Sequence, residues 1–161
     1  MDSPNGSTAL HVLFVCAGNT CRSPMAEAIA VRKASDLSRR VEFRSAGTAA
    51  HEGDPVTGGA LRAAARAGLD LARHTATLVD EEIANWADVI LVMSPGHLAR
   101  LRRLGAGDRS FLLSAFSTAK EAPSAEDVGV PDPFGGGSDV YEHTFAVLEG
   151  LVEDAIHRLE G

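Results

Sequence analysis

His11-Val12-Leu13-Phe14-Val15 runs straight into Cys16-Ala17-Gly18-Asn19-Thr20-Cys21-Arg22-Ser23-Pro24, and a helix-forming stretch follows from Met25 to Lys33. Five apolar or half-polar residues with little alternation read as a strand covered on both faces. Ser23 is expected to cap the helix, with Pro24 at its first position, where a missing N–H costs nothing. A loop between a strand end and a helix start aims several backbone N–H groups at one point, and that arrangement binds an anion. The same nine residues hold a thiol able to attack phosphorus and a guanidinium able to clamp phosphate oxygens.

Further strands are expected at Val41–Arg44, Val89–Met93 and Ser110–Leu113. Helices are expected at Ser23–Ser35, Gly58–Ala67, a short one from Asp80, Pro95–Leu104 and Asp139–Leu159. Gly68 and Gly105 stop two of them. The last helix carries Tyr141, Phe145, Leu148, Val152, Ala155 and Leu159 on one stripe. Strands alternating with helices predict an α/β fold: a single-domain three-layer sandwich, with a four-stranded parallel sheet and helices on both faces. Ligands of such sheets bind at the carboxyl ends of the strands, where the loop from Cys16 lies. Ser114–Ser138, with three prolines and Gly135-Gly136-Gly137, reads as one long irregular segment.

The chain has 161 residues, enough for one domain, here residues 10–161 behind a flexible tail of residues 1–9. Hydrophobic residues make up 45% and charged residues 23%, the balance of a soluble globular protein. A net charge of −7 argues against nucleic acid or an anionic membrane as partner, so anion binding must be local. Two cysteines in one loop form no disulfide framework and suit a reducing cytoplasm. No run approaches the length of a membrane span, and the first ten residues lack the character of a secretory signal.

A helix N-terminus and a nearby guanidinium favour the thiolate of Cys16. Backbone N–H groups from Ala17 to Arg22 can ring the phosphate oxygens, and Ser23 Oγ can donate to the sulfur. Arg22 can hold two oxygens in a fork and stabilise transition-state charge. Cys21 reads equally as a packed small residue or as a redox partner of Cys16 that protects it from over-oxidation. A leaving group needs a proton donor. Asp132, between Pro131 and Pro133, is the outstanding candidate, although composition alone does not choose it over Asp54, Asp80 or Asp127.

On these residues the chain resembles the low-molecular-weight protein-tyrosine-phosphatase family, from Leu10 to the final helix. The landmarks are Val15–Glu27, Arg44-Ser45-Ala46-Gly47-Thr48 and Asp132-Pro133. The resemblance implies that Cys16 is the nucleophile, Arg22 the phosphate clamp and Asp132 the general acid, then base. It implies that Asn19, Ser23, Ser45 and His74 hold the loop in shape. Asn19 also has a reason of its own, because Asn tolerates the positive φ of a tightly wound loop. No metal or cofactor is expected, and a monomer acting on phosphorylated protein side chains is.

Many members that act on phosphotyrosine carry a bulky aliphatic residue where this chain has Thr20, and paired aromatics after Asp-Pro. Thr20 together with Asp132-Pro133-Phe134-Gly135-Gly136 looks like the bacterial protein-arginine-phosphatase branch. That makes Thr20 and Phe134 the specificity positions and favours phosphoarginine, with phosphotyrosine as the alternative. An arsenate reductase would need further cysteines for its relay. A phosphocysteine carrier should avoid hydrolysis, and a binding module would not need both Cys16 and Asp132.

Overall fold

β1 (Leu10–Cys16), β2 (Val41–Gly47), β3 (Val89–Val92) and β4 (Ser110–Leu112) pair in parallel, in the order β2-β1-β3-β4. These elements belong to a computed structural model that describes residues 8–118 and 129–160. The central strand explains its own sequence. Val12, Phe14 and Cys16 project to one face of the sheet, while Leu13 and Val15 project to the other. Both sets are buried, so the run shows no polar alternation.

On the first face lie α1 (Arg22–Lys33), α2 (Gly58–Arg66), α5 (Leu113–Ser117) and α6 (Ser138–Glu160). On the second lie α3 (Glu81–Trp86) and α4 (Gly96–Arg103), covering Ile90, Val92 and Leu112. The expected three-layer α/β sandwich is therefore the observed fold. Each fully buried Leu, Ile, Val or Phe contributes roughly 1.5–3 kcal/mol. No helix among the described residues is long and apolar enough to cross a membrane.

Local signals set the ends of several elements. The Thr57 hydroxyl accepts from Ala60 N–H at 3.3 Å to cap α2, and the Asp80 carboxylate accepts from Ile83 N–H at 2.9 Å to cap α3. Gly68 and Gly105, at φ 82° and 79°, follow α2 and α4. α6 buries Tyr141, Phe145, Leu148, Val152 and Ala155 on the expected stripe, together with Ile156. At Gly59 a Cβ would stand 2.3 Å from the Tyr141 ring, so glycine lets α2 approach α6.

Three expectations are corrected. α1 begins at Arg22 with Cys21 before it, and Ser23 does not cap it; its hydroxyl is directed into the loop instead. β2 continues past Arg44 to Gly47, because Ser45 and Ala46 pair with Phe14 and Val15 although they carry no apolar signal. The segment from Ser114 is not wholly irregular. Leu113, Ala115 and Phe116 are buried in α5, Phe116 packs on Phe111, and Ser117 Oγ donates to Leu151 O at 2.7 Å. The expected tail falls largely, and Asp127 wholly, outside the described residues.

Candidate active site

β1 lies between β2 and β3, and successive connections leave it in opposite directions, so its carboxyl end is the switch point of the sheet. The loop Ala17–Cys21 is wound there. Its outward carbonyls are engaged by the surrounding chain. Cys16 O accepts from Thr48 N–H and Ala17 O from Ala49 N–H, both at 2.9 Å. Thr20 O accepts from Thr57 N–H at 3.0 Å, and Cys21 O from Met25 N–H at 3.2 Å. Among the described residues the N–H groups of Gly18 to Cys21 donate to no protein atom. Carbonyls tied from outside and amides left free toward the centre make an anion cradle.

Asn19 sets the winding. It is fully buried at φ 56°, the left-handed region that Asn tolerates. Its Nδ2 donates to Ser23 Oγ at 2.8 Å and Ser45 Oγ at 3.0 Å, and its Oδ1 accepts from Thr77 N–H at 2.9 Å. Its carbonyl is 2.8 Å from His74 Nε2. Ser45 in turn donates to Glu27 Oε1 at 2.7 Å. Burial pushes the Glu27 carboxyl above its usual range, against the Ser45 bond and the nearby His74. Gly47 completes the support from β2. A Cβ there would lie 2.3 Å from Ala17 O, so backbone meets backbone.

Cys16 Sγ is 2.9 Å from Ser23 Oγ. Because Asn19 Nδ2 already donates to that hydroxyl, its proton is left for the sulfur or for Ala46 O, which is farther at 3.4 Å. Cys16 and Cys21 are both free thiols. Cys21 is buried against Thr57 Oγ1 at 3.4 Å and the Tyr141 hydroxyl at 3.7 Å. Burial pushes the Tyr141 phenol above its ordinary range.

Arg22 is 4% exposed and held from behind. Its Nη1 donates to Ser94 Oγ and to Val130 O, each at 2.8 Å. Its Nη2 stands 3.8 Å from Asp132 Oδ2. The other Asp132 oxygen accepts from Phe134 N–H at 3.1 Å, so a turn at the proline-flanked segment presents the carboxylate. Val130 is itself pinned, its N–H donating to Met93 O at 2.7 Å.

Sequence reasoning did not single out Ser94 or His97. A small polar residue just past the end of β3 was the available signal for Ser94. His97 Nδ1 accepts from Ser94 N–H at 3.2 Å, which requires a neutral ring with its proton on Nε2. Burial, and after it the Arg22 guanidinium, bring His97 from 6.5 down to about 4, with Asp132 opposing. A folded pKa below the unfolded one gives stability that is complete above about pH 6.5 and lost as pH falls towards about 4. Melting temperature should therefore drop across that interval, and His97→Gln should flatten the drop. An unchanged profile in the variant would remove His97 as its cause.

Cys16, Gly18, Thr20, Cys21 and Arg22 line one cavity of about 310 Å³ with His51, Asp54, Asp132 and Phe134. The buried loop forms its floor, and the exposed side chains form its mouth. The structure thus brings Cys16, Thr20, Arg22, Asp132 and Phe134 to one place, with Asn19, Ser23, Ser45 and His74 behind the loop. Asp80 is remote, engaged as the cap of α3. A thiol on an amide cradle, with a guanidinium beside it and a carboxylate at the mouth, can bind a phosphorylated group and exchange it.

The model of the family described as low molecular weight phosphotyrosine protein phosphatase matches residues 11–160. A protein-arginine-phosphatase from Geobacillus stearothermophilus is 36% identical over 152 residues, covering 93% of this chain and 96% of that protein. A low molecular weight protein-tyrosine-phosphatase from Streptomyces coelicolor is 37% identical over 162 residues, covering 94% and 96%. The crystal structure of a YwlE mutant from Bacillus subtilis superposes with a TM-score of 0.86 at 32% identity, covering 95% of this chain and all of that one. Family match, full-length likeness and the loop at the sheet's switch point agree: this chain is a hydrolase belonging to the low molecular weight phosphotyrosine protein phosphatase family.

Proposed function

We propose that the chain is a metal-independent protein phosphatase that works through a cysteinyl-phosphate and prefers phosphoarginine. The Cys16 thiolate attacks phosphorus while the bond from phosphorus to the leaving nitrogen breaks. That nitrogen keeps the electron pair and takes a proton from the Asp132 carboxyl. The Asp132 carboxylate then removes a proton from water, whose oxygen attacks phosphorus. The P–S bond breaks, the thiolate returns and inorganic phosphate leaves. Arg22 and the loop amides stabilise the equatorial oxygens in both steps. The Ser23 hydroxyl donates to the sulfur as it becomes a leaving group.

The observation that carries the substrate is the polarity of the cavity beside the reacting atoms. Thr20 supplies a hydroxyl, Asp54 a carboxylate and Asp132 the proton-donating carboxyl, where a phenol ring would need apolar contact. A guanidinium finds hydrogen-bond acceptors there. Phe134, 71% exposed at the mouth, supports phosphotyrosine as the second reading, since its ring can pack on another. Two free thiols suit a reducing cytoplasm, where we place the protein as a monomer.

Kinetics on phosphoarginine and phosphotyrosine peptides of one sequence test the preference, repeated with Thr20→Ile. The wild type should favour phosphoarginine, and Thr20→Ile should shift the ratio of kcat/KM values at least about tenfold towards phosphotyrosine. A ratio that Thr20→Ile leaves unmoved, or a wild type inert on phosphoarginine, overturns the reading.

A further inference from the structure

The mouth of the cavity carries a second carboxylate that the two-step chemistry does not use. His51-Glu52-Gly53-Asp54 is a tight turn, closed by a bond from Asp54 N–H to His51 O at 3.1 Å, with Gly53 at φ 89° in its third position. The turn is bolted to the neighbouring segment. Gly53 N–H donates to Ala76 O at 2.9 Å, Ala76 N–H donates to Asp54 O at 2.8 Å, and Pro55 bridges to Thr75. The Glu52 carboxylate accepts from Leu78 N–H. Asp54 is thus an exposed side chain on a fixed backbone, reaching the same cavity as Cys16 and Asp132. Its carboxylate makes no hydrogen bond or ion pair among the described residues, whereas Asp132 already faces Arg22 and the Phe134 N–H.

Charge accounting gives Asp54 a task. A general acid is protonated, and so neutral, when the substrate arrives. In the proposed mechanism Asp132 gives a proton to the leaving nitrogen, so it serves there as a donor and not as the acceptor a guanidinium needs. A phosphorylated guanidinium keeps N–H groups pointing away from phosphorus, toward the mouth of the cavity. We infer that Asp54 is the specificity residue that accepts hydrogen bonds from this guanidinium, leaving Asp132 free for proton transfer. The inference rests on the phosphoarginine reading and names the part of the site that recognises the leaving group. Division between two carboxylates also explains why the cavity floor is built for an anion while its mouth is built for a cation.

The test is Asp54→Asn, which keeps shape and removes charge. Substrates are phosphoarginine and phosphotyrosine peptides with identical neutral flanks, and a phosphotyrosine peptide with a flanking lysine. The ratio of kcat/KM for phosphoarginine over phosphotyrosine should fall about tenfold in the variant, mostly through KM. The decline of phosphoarginine turnover with added salt should weaken with it. A ratio unchanged within about twofold, in a wild type that does prefer phosphoarginine, overturns the role of Asp54 and leaves the proposed function standing. A loss confined to the lysine-flanked peptide also overturns it, by assigning Asp54 to the peptide flank. A wild type that does not cleave phosphoarginine sinks the proposed function, and the inference falls with it.

Discussion

Cys16→Ser is expected to lower kcat on p-nitrophenyl phosphate by at least about 10⁴-fold, because an alcohol in place of a thiol offers almost no anionic nucleophile at neutral pH. The fold should hardly notice. Cys16 is buried at the end of β1, its one side-chain partner among the described residues is Ser23 Oγ at 2.9 Å, and serine can keep that bond. Its melting temperature should stay within about 4 °C of the wild type. Binding of inorganic phosphate should persist as well, since the amides of the cradle and Arg22 remain in place. Steady-state kinetics, thermal melts and calorimetry of phosphate binding check the three parts. Turnover above a tenth of wild type would exclude Cys16 as nucleophile. Loss of phosphate binding with an intact melt would mean that the sulfur shapes the cradle as well.

Arg22→Lys is the second large effect, a fall in kcat of about 10³-fold. Lysine keeps the charge but cannot reproduce a planar fork whose Nη1 faces Ser94 and Val130 while Nη2 stands 3.8 Å from Asp132 in the lining of the cavity. Stability should fall too, because Val130 O and Ser94 Oγ lose their donor. A buried acceptor left without a partner costs about 1–3 kcal/mol, equivalent to several degrees of melting temperature here. The drop in kcat should exceed the rise in KM, since the fork acts most strongly on the charge of the transition state. A variant within tenfold of wild type in kcat would mean that the guanidinium is structural.

Strand β1, its loop and α1 were legible because one stretch carried strand, turn and helix signals without a break. α6 was legible from its stripe, and the element order from alternation. The end of β2 was not, because Ser45, Ala46 and Gly47 join the sheet through backbone pairing and carry no apolar pattern. α5 was hidden by the proline- and glycine-rich stretch that follows it, and contacts distant in sequence, Phe116 on Phe111 and Ser117 to Leu151, explain its place. Ser23 matched the rule for a helix cap, yet its hydroxyl has stronger claims from Cys16 and Asn19. The support of Arg22 comes from residues 72 and 108 positions away, one of them through a backbone carbonyl. No local spacing encodes such a contact. Asp54 stood among the candidate acids, but only the turn at Gly53 shows that it shares the cavity of Asp132.

The contact of Gly47 with Ala17 and the four bonds of Asn19 have an evolutionary corollary. The loop that follows the nucleophile is braced from behind and below, by β2, α1 and the segment at His74 and Thr77, while His51, Asp54 and Phe134 at the mouth sit on other loops. Changes at His51, Asp54 and Phe134 can redirect the choice of phosphorylated residue without disturbing the bonds that hold the loop. Arginine- and tyrosine-directed relatives, both more than a third identical to this chain, can thus diverge from one ancestor by altering the rim and the position of Thr20 while inheriting the rest of the hearth.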